Sequence, residues 1–162
     1  MAKLYFASPL FSEMELAFNQ KVVDQLRQAI PELEIYLPQE QAEINDKEGY
    51  ADSKMIATLD TEVLLNCDMM VAILDGQTID PGVASEIGVA YQAGIPIIGL
   101  YSDIRQQGAT NQQKIAALQE IAESQFPYAN LYTVGLIKLN GQVVNSTLDL
   151  PDAIKTVLSK LQ

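Results

Sequence analysis

Short apolar runs alternate about five times along the chain with stretches whose apolar residues recur every three or four positions. Residues 3–8 (KLYFAS) form an apolar run stopped by Ser8-Pro9 and predict a first strand. Residues 11–29 predict a helix with Val22, Val23, Leu26 and Ile30 as its apolar stripe. Ser12 stands as N-cap with Glu15 three residues on, and Pro31 is the stop. Residues 33–37 read as a second strand closed by Pro38, and 39–50 as a polar loop. Residues 52–66 read as a helix through Ile56, Leu59 and Val63, with Asp60 at the border of the apolar face. Residues 69–74 are almost continuously apolar, as in a central parallel strand. Asp80-Pro81 then opens a helix, Asp as N-cap and Pro in first position, carrying Val83, Ile87 and Ala90 inward and ending at Gly94. Residues 95–101 predict a fourth strand and 103–111 a loop. Residues 112–124 predict a helix with Ile115, Leu118 and Ala122 inward, and 126–134 an irregular aromatic connection. Residues 136–139 read as a fifth strand before the turn signal Asn140-Gly141, and 148–161 as a closing helix.

This alternation predicts a single α/β domain over residues 1–162. Its core is a doubly wound, five-stranded parallel sheet of the flavodoxin-like type, with helices on both faces. In such a sheet the ligand site lies beyond the carboxyl ends of the strands, at the switch point. Ser8-Pro9, the 39–50 loop, Asp75-Gly76 and the 103–111 loop all fall at that edge.

Charge and composition then narrow the chemistry. The net charge of −11 opposes phosphate backbones and anionic lipid surfaces, so neither nucleic-acid polymers nor membranes are expected as partners. One cysteine, Cys67, forbids an intrachain disulfide. With no long apolar run at the start, the expectation is a cytoplasmic protein. The chain has no histidine, which removes Ser-His and Cys-His nucleophile systems and the commonest zinc ligand. No metal and no cofactor are expected. Acid–base and nucleophilic work falls to carboxylates, tyrosines, lysines, hydroxyls or the lone thiol.

Glu86 is the one charged side chain between Pro81 and Ser102. It sits in the second turn of its helix, where the helix N-terminus favours an anion and burial would raise its pKa. A carboxylate so placed suits a nucleophile attacking an anomeric carbon, as in retaining glycoside chemistry. A second acid near the leaving group would protonate it, and Asp60 is the candidate. Asp75, before Gly76, reads first as a turn residue. The glycines here fit neither G-x-G-x-x-G nor a P-loop.

These residues resemble the nucleoside 2′-deoxyribosyltransferase family. The likeness is carried by Asp75-Gly76, Asp80-Pro81-Gly82 and Glu86-Ile87-Gly88, with Ala90 after them. It is supported by Leu4 to Phe11 (LYFASPLF), by Asp60 before Asn66-Cys67-Asp68, and by Asn130-Leu131, so that it spans about residues 3 to 135. It implies transfer of 2-deoxyribosyl groups between purine and pyrimidine bases by double displacement with retained configuration. Glu86 would be the nucleophile, Tyr5 the tyrosine that orients it, and Asp60 the acid at the departing base. Asp80 would bind the sugar 5′-hydroxyl, and Asn130 would be lent to that hydroxyl by a neighbouring subunit of a homo-oligomer. Ser8, Phe11 and Tyr132 would complete the substrate site. The partners implied are deoxyribonucleosides and free nucleobases. Tyr132 departs from the methionine that many members carry, and the closing segment from residue 136 on has no clear match.

Three other readings fit parts of the chain. A hydrolase of deoxynucleoside 5′-monophosphates would use Ser8 and Ser85 around a phosphate, against which Asp80 argues. A receiver domain would use Asp75 as phosphoacceptor, but Ala7-Ser8 and Asn140-Gly141 stand where it needs an acidic pair and a lysine. A flavin module rests on fold analogy alone.

Overall fold

A computed structural model describes residues 1–41 and 50–161. Five strands, β1 (Lys3–Ala7), β2 (Glu34–Tyr36), β3 (Met69–Ile73), β4 (Ile97–Leu100) and β5 (Gly141–Val144), form one sheet in the order β2-β1-β3-β4-β5. Every pair is parallel. This is the doubly wound, flavodoxin-like α/β architecture that the alternation predicts. The chain reverses direction across the sheet between β1 and β3, and their carboxyl ends flank the crevice where such sheets bind ligands.

Alternation along each strand divides the core into two layers. Leu4, Phe6, Val71, Ile73 and Ile98 face α1 (Glu13–Ala29) and α6 (Leu150–Leu161), whose Val22, Leu26 and Ile154 are buried against them. Tyr5, Ala7, Met70, Ala72 and Ile97 face the other way. There they share a cluster with Leu64 of α2 (Ser53–Leu65), Val83, Ile87 and Ala90 of α3 (Pro81–Gln92), and Ile137 of α5 (Leu131–Leu139). A short α4 (Gln112–Ala117) lies between β4 and α5. Among the described residues, no helix is long and apolar enough to cross a membrane.

Local chemistry explains most element boundaries. Ser12 and Glu15 form the capping box at the start of α1: Ser12 Oγ accepts from the Glu15 amide, and Glu15 takes the Ser12 amide at 2.8 Å. Asp80 caps α3, its Oδ1 accepting from Val83 N at 3.1 Å, and Pro81 follows in first position. Gly94 leaves that helix at φ +74°, a left-handed conformation that suits glycine.

Three expectations need correction. Residues 136–139 belong to helix α5, not to a strand. Asn130 caps that helix by accepting from Thr133 N at 3.1 Å, and Thr133 and Ile137, four apart, are its buried positions. The fifth strand is Gly141–Val144, so Asn140-Gly141 joins a helix to that strand instead of following it. The predicted helix over 112–124 stops at Ala117. Ile115 and Leu118 are partly exposed instead of buried, and Ala122 has φ +67°, which no right-handed helix tolerates. In α2 the fully buried residue is Leu64, while Ile56 is exposed. Most of the 39–50 loop lies outside the described residues; its start forms a single helical turn, Pro38–Glu40.

Candidate functional site

Tyr5 and Glu86 meet across the crevice. Tyr5 lies in the middle of β1, fully buried, and its side chain leaves the sheet toward α3. Glu86 projects from the second turn of α3. The Tyr5 Oη–H donates to Glu86 Oε1 at 2.7 Å. Helix α3 can deliver its carboxylate here because Val83, Ile87 and Ala90 seat it on the sheet beside β1.

Burial raises the Glu86 pKa to about 7. The Tyr5 hydrogen bond pulls it down, and the charges of Asp60 and Asp80 push it up. The same hydrogen bond, burial and the nearby carboxylates hold the Tyr5 phenol well above its ordinary value, so Tyr5 is a donor at all ordinary pH.

Asp60 stands on α2 and shares with Glu86 a cavity of about 370 Å³, whose walls are largely apolar and include Ile56, Ala57, Leu64 and Val89. Burial raises the Asp60 pKa. Its Oδ1 is buried and meets no donor among the described residues. A half-buried carboxyl group, inclined to hold a proton and facing a cavity beside a second carboxylate, can hydrogen-bond a polar atom of a ligand. The exposed first half of α2 has the same explanation: its apolar side chains line a cavity instead of packing on the sheet.

The remaining sequence-predicted residues fall around this core at different distances. Asp80, at the α3 N-cap, lies near enough for its charge to act on Glu86. A side chain at position 82 would crowd it, since a Cβ on Gly82 would sit 3.0 Å from Asp80 Oδ1. Ser8 directly follows β1, buried, with an Oγ that meets no partner among the described residues. The structure does not bring Phe11, Asn130 or Tyr132 into the Asp60–Glu86 cavity of the same chain. Phe11 is exposed just ahead of α1, and Tyr132 is 76% exposed on α5. Asn130 lines a separate cavity of about 280 Å³ with Thr78, Ile79, Ala84, Tyr128 and Thr133. Asp75 is more than a turn residue: its carboxylate accepts from both the amide and the hydroxyl of Ser102, each at 2.7 Å, and so ties the end of β3 to the end of β4. Both of its oxygens are thus engaged. The residue after β5 is Asn145, which again offers no receiver lysine.

Tyr36 was invisible to sequence reading. It closes β2 in direct register with Tyr5, and the two rings stack with centroids 5.4 Å apart. The one available signal was an aromatic residue at a strand's carboxyl end, which acquires meaning only once β2 is known to lie beside β1. Among the described residues, no group of three or more His, Cys, Asp or Glu side chains is arranged to hold a metal ion.

The model of the family Nucleoside 2-deoxyribosyltransferase matches residues 4–123. The chain belongs to this family. The matched span carries Tyr5, Asp60, Asp80 and Glu86. A search of curated proteins found no match. Among solved structures, a conserved protein from Enterococcus faecalis V583 is 63% identical, with a TM-score of 0.92 over 96% of this chain and 98% of that one. The 2-deoxyribosyltransferase of Bacillus psychrosaccharolyticus shares the fold at a TM-score of 0.62 and 20% identity, over 93% of this chain and 90% of that one. The 2-desoxiribosyltransferase of Leishmania mexicana does so at 0.62 and 16%, over 98% of each chain. Membership of the nucleoside 2-deoxyribosyltransferase family makes this chain an enzyme of the deoxyribosyl-transferring kind, acting on nucleosides and nucleobases.

Proposed function

We propose that the protein moves a 2-deoxyribosyl group from one purine or pyrimidine base to another through an ester on Glu86, in the reuse of bases and nucleosides. The supporting observation is the Tyr5 hydroxyl fixed 2.7 Å from Glu86, at the wall of a cavity that Glu86 shares with Asp60, whose buried Oδ1 meets no donor among the described residues.

In the first half-reaction Glu86 attacks C1′ of the deoxyribonucleoside. The C1′–N bond breaks, its electron pair leaves with the base, and Asp60 supplies the proton the base takes up. Burial favours this role by keeping Asp60 protonated to higher pH than an exposed carboxyl. Tyr5 holds one Glu86 oxygen, which leaves the other free to attack. In the second half-reaction a new base attacks C1′ from the face the first one left. The ester C–O bond breaks, Glu86 departs as carboxylate and Asp60 recovers the proton. Two inversions give net retention. Asp80 spends Oδ1 on the helix cap, and its second oxygen accepts from the sugar 5′-hydroxyl. Ser8 contributes to the substrate site from the carboxyl end of β1. Asn130 belongs, in this reading, to the site of a neighbouring subunit, since in its own chain it lines a cavity other than the Asp60–Glu86 one. Phe11 and Tyr132, both exposed, are completed by substrate or by the neighbouring subunit.

The test is base exchange. Enzyme with thymidine and adenine is expected to give deoxyadenosine and thymine, and Glu86→Ala is expected to lower the rate by at least about a thousandfold with the fold intact. Near-normal exchange by Glu86→Ala would remove the proposed nucleophile. Thymidine 5′-monophosphate, run beside thymidine, separates this activity from hydrolysis of a nucleotide: the carboxylate of Asp80 disfavours a phosphate at that end.

A further inference from the structure

Parallel pairing in direct register puts Tyr5 of β1 opposite Tyr36 of β2, so both side chains leave the same face of the sheet. Their rings stack, centroids 5.4 Å and planes 24° apart. Tyr5 is fully buried and its hydroxyl is committed to Glu86. Tyr36 is half-buried on the edge strand. Beyond it opens a cleft of about 600 Å³, lined also by Lys3, Glu34, Glu62, Val63, Asn66 and Cys67. Tyr36 lines that cleft and Tyr5 does not, so the stacked Tyr36 ring covers Tyr5 on that side.

The geometry points to Tyr36 as a positioning residue for the reaction: its ring fixes the tilt of Tyr5, and thereby the aim of the Tyr5 hydroxyl at Glu86, while covering Tyr5 on the side of the neighbouring cleft. This rests on Glu86 and Tyr5 acting as proposed above. A phenol carries its hydroxyl far from the backbone, so a small tilt at Cβ becomes a displacement on the order of 1 Å, an error that costs about a hundredfold in rate in a tuned site. Met70 of β3 lies opposite Tyr5 on its other side, but a methionine chain is flexible, and the planar partner is Tyr36 alone among the two. The Tyr36 hydroxyl is not itself the acting group. Burial and the charges of Asp60, Cys67 and Glu86 keep it protonated, and its contact with Tyr5 is made by the ring.

Two readouts test this in the full-length enzyme: base-exchange kinetics, and titration of the Glu86 carboxyl by carbon NMR, which needs no turnover. Tyr36→Phe keeps the ring and is expected to hold kcat within about twofold. Tyr36→Leu fills much of the space without a stacking plane and is expected to lower kcat about tenfold or more with KM little changed. It should also move the Glu86 titration upward, as Tyr5→Phe does, because the Tyr5 hydrogen bond is what holds that group down against burial, Asp60 and Asp80. In a Tyr5→Phe background Tyr36→Leu should then add less than about twofold. Tyr36→Met takes its place should Tyr36→Leu not fold. The inference is overturned if the two losses multiply, if Tyr36→Phe falls as far as Tyr36→Leu, or if the Glu86 titration ignores Tyr36→Leu. Absence of exchange by the unsubstituted enzyme would instead sink the functional proposal, and the titration series would still decide for or against Tyr36.

Discussion

Glu86 and Asp60 are both carboxyl groups that burial inclines toward holding a proton, yet the proposed chemistry asks them for opposite states. The Tyr5 hydroxyl favours the ionised form of Glu86, whereas the buried oxygen of Asp60 meets no donor among the described residues. Burial still outweighs that hydrogen bond, so Glu86 ionises only as pH rises through about 7. The consequence for pH follows from the sign of the Glu86 shift. Burial pushes folded Glu86 up to about 7 from an ordinary 4.5, so between those values the folded chain binds more protons than the unfolded one. Its contribution to stability is therefore fully present below about 4.5 and is lost as pH rises through about 7. Removing the charge with Glu86→Gln is expected to raise stability relative to the parent above that window, by on the order of 2 kcal/mol, with the gap closing below it. Denaturant melts across pH check this; a gap that does not vary with pH contradicts it. Transfer itself should rise with pH on its acidic limb as Glu86 ionises. At this scale the sequence showed the acids well, because a lone carboxylate in an apolar helix and an acid at the edge of an apolar face are visible in one dimension. It hid Tyr36 and the Asp75–Ser102 tie, because both depend on which strands lie side by side.

Helix caps and proline stops made α1, α2, α3 and the first four strands legible, since each is signalled by residues within a few positions of its ends. Helix α5 was not. Its sequence, LYTVGLIKL, is apolar almost all round and includes a glycine, so period could not separate helix from strand; what decides is the Asn130 cap and packing against α3 and β4. The joint to β5 is just as dependent on tertiary context. A Cβ at Gly141 would collide with the Ile97 carbonyl of the adjacent strand. Gly141→Ala is therefore expected to lower stability by about 2–4 kcal/mol, through displacement of the edge strand, measured by chemical denaturation. A loss of a few tenths would mean that the edge yields freely and that β5 does not fix the position of α5.

Seen whole, the molecule leaves part of its proposed site on its surface. Asn130 and the exposed Tyr128, Leu131 and Tyr132 lie at the start of α5, apart from the Asp60–Glu86 cavity. If Asn130 completes a neighbour's site, Glu86→Ala and Asn130→Ala proteins, each impaired alone, should regain exchange when mixed and allowed to trade subunits, because some sites then hold both native residues. Recovery of up to about a quarter of parental activity is expected for randomly mixed pairs; no recovery would place Asn130 in its own chain's site or outside the reaction. The charge of −11 sets a long-range field that disfavours polyanions and leaves neutral nucleosides unaffected.

The central claim is the covalent ester on Glu86. It is met most directly by quenching enzyme mixed with a deoxyribonucleoside in the absence of acceptor base and weighing the intact protein and its peptides. A mass increase equal to one deoxyribosyl group, mapped to the peptide containing Glu86 and absent in Glu86→Ala, is the predicted result. Turnover by the parent enzyme without any such adduct under conditions that trap acyl-type esters, or an adduct on another residue, would contradict it.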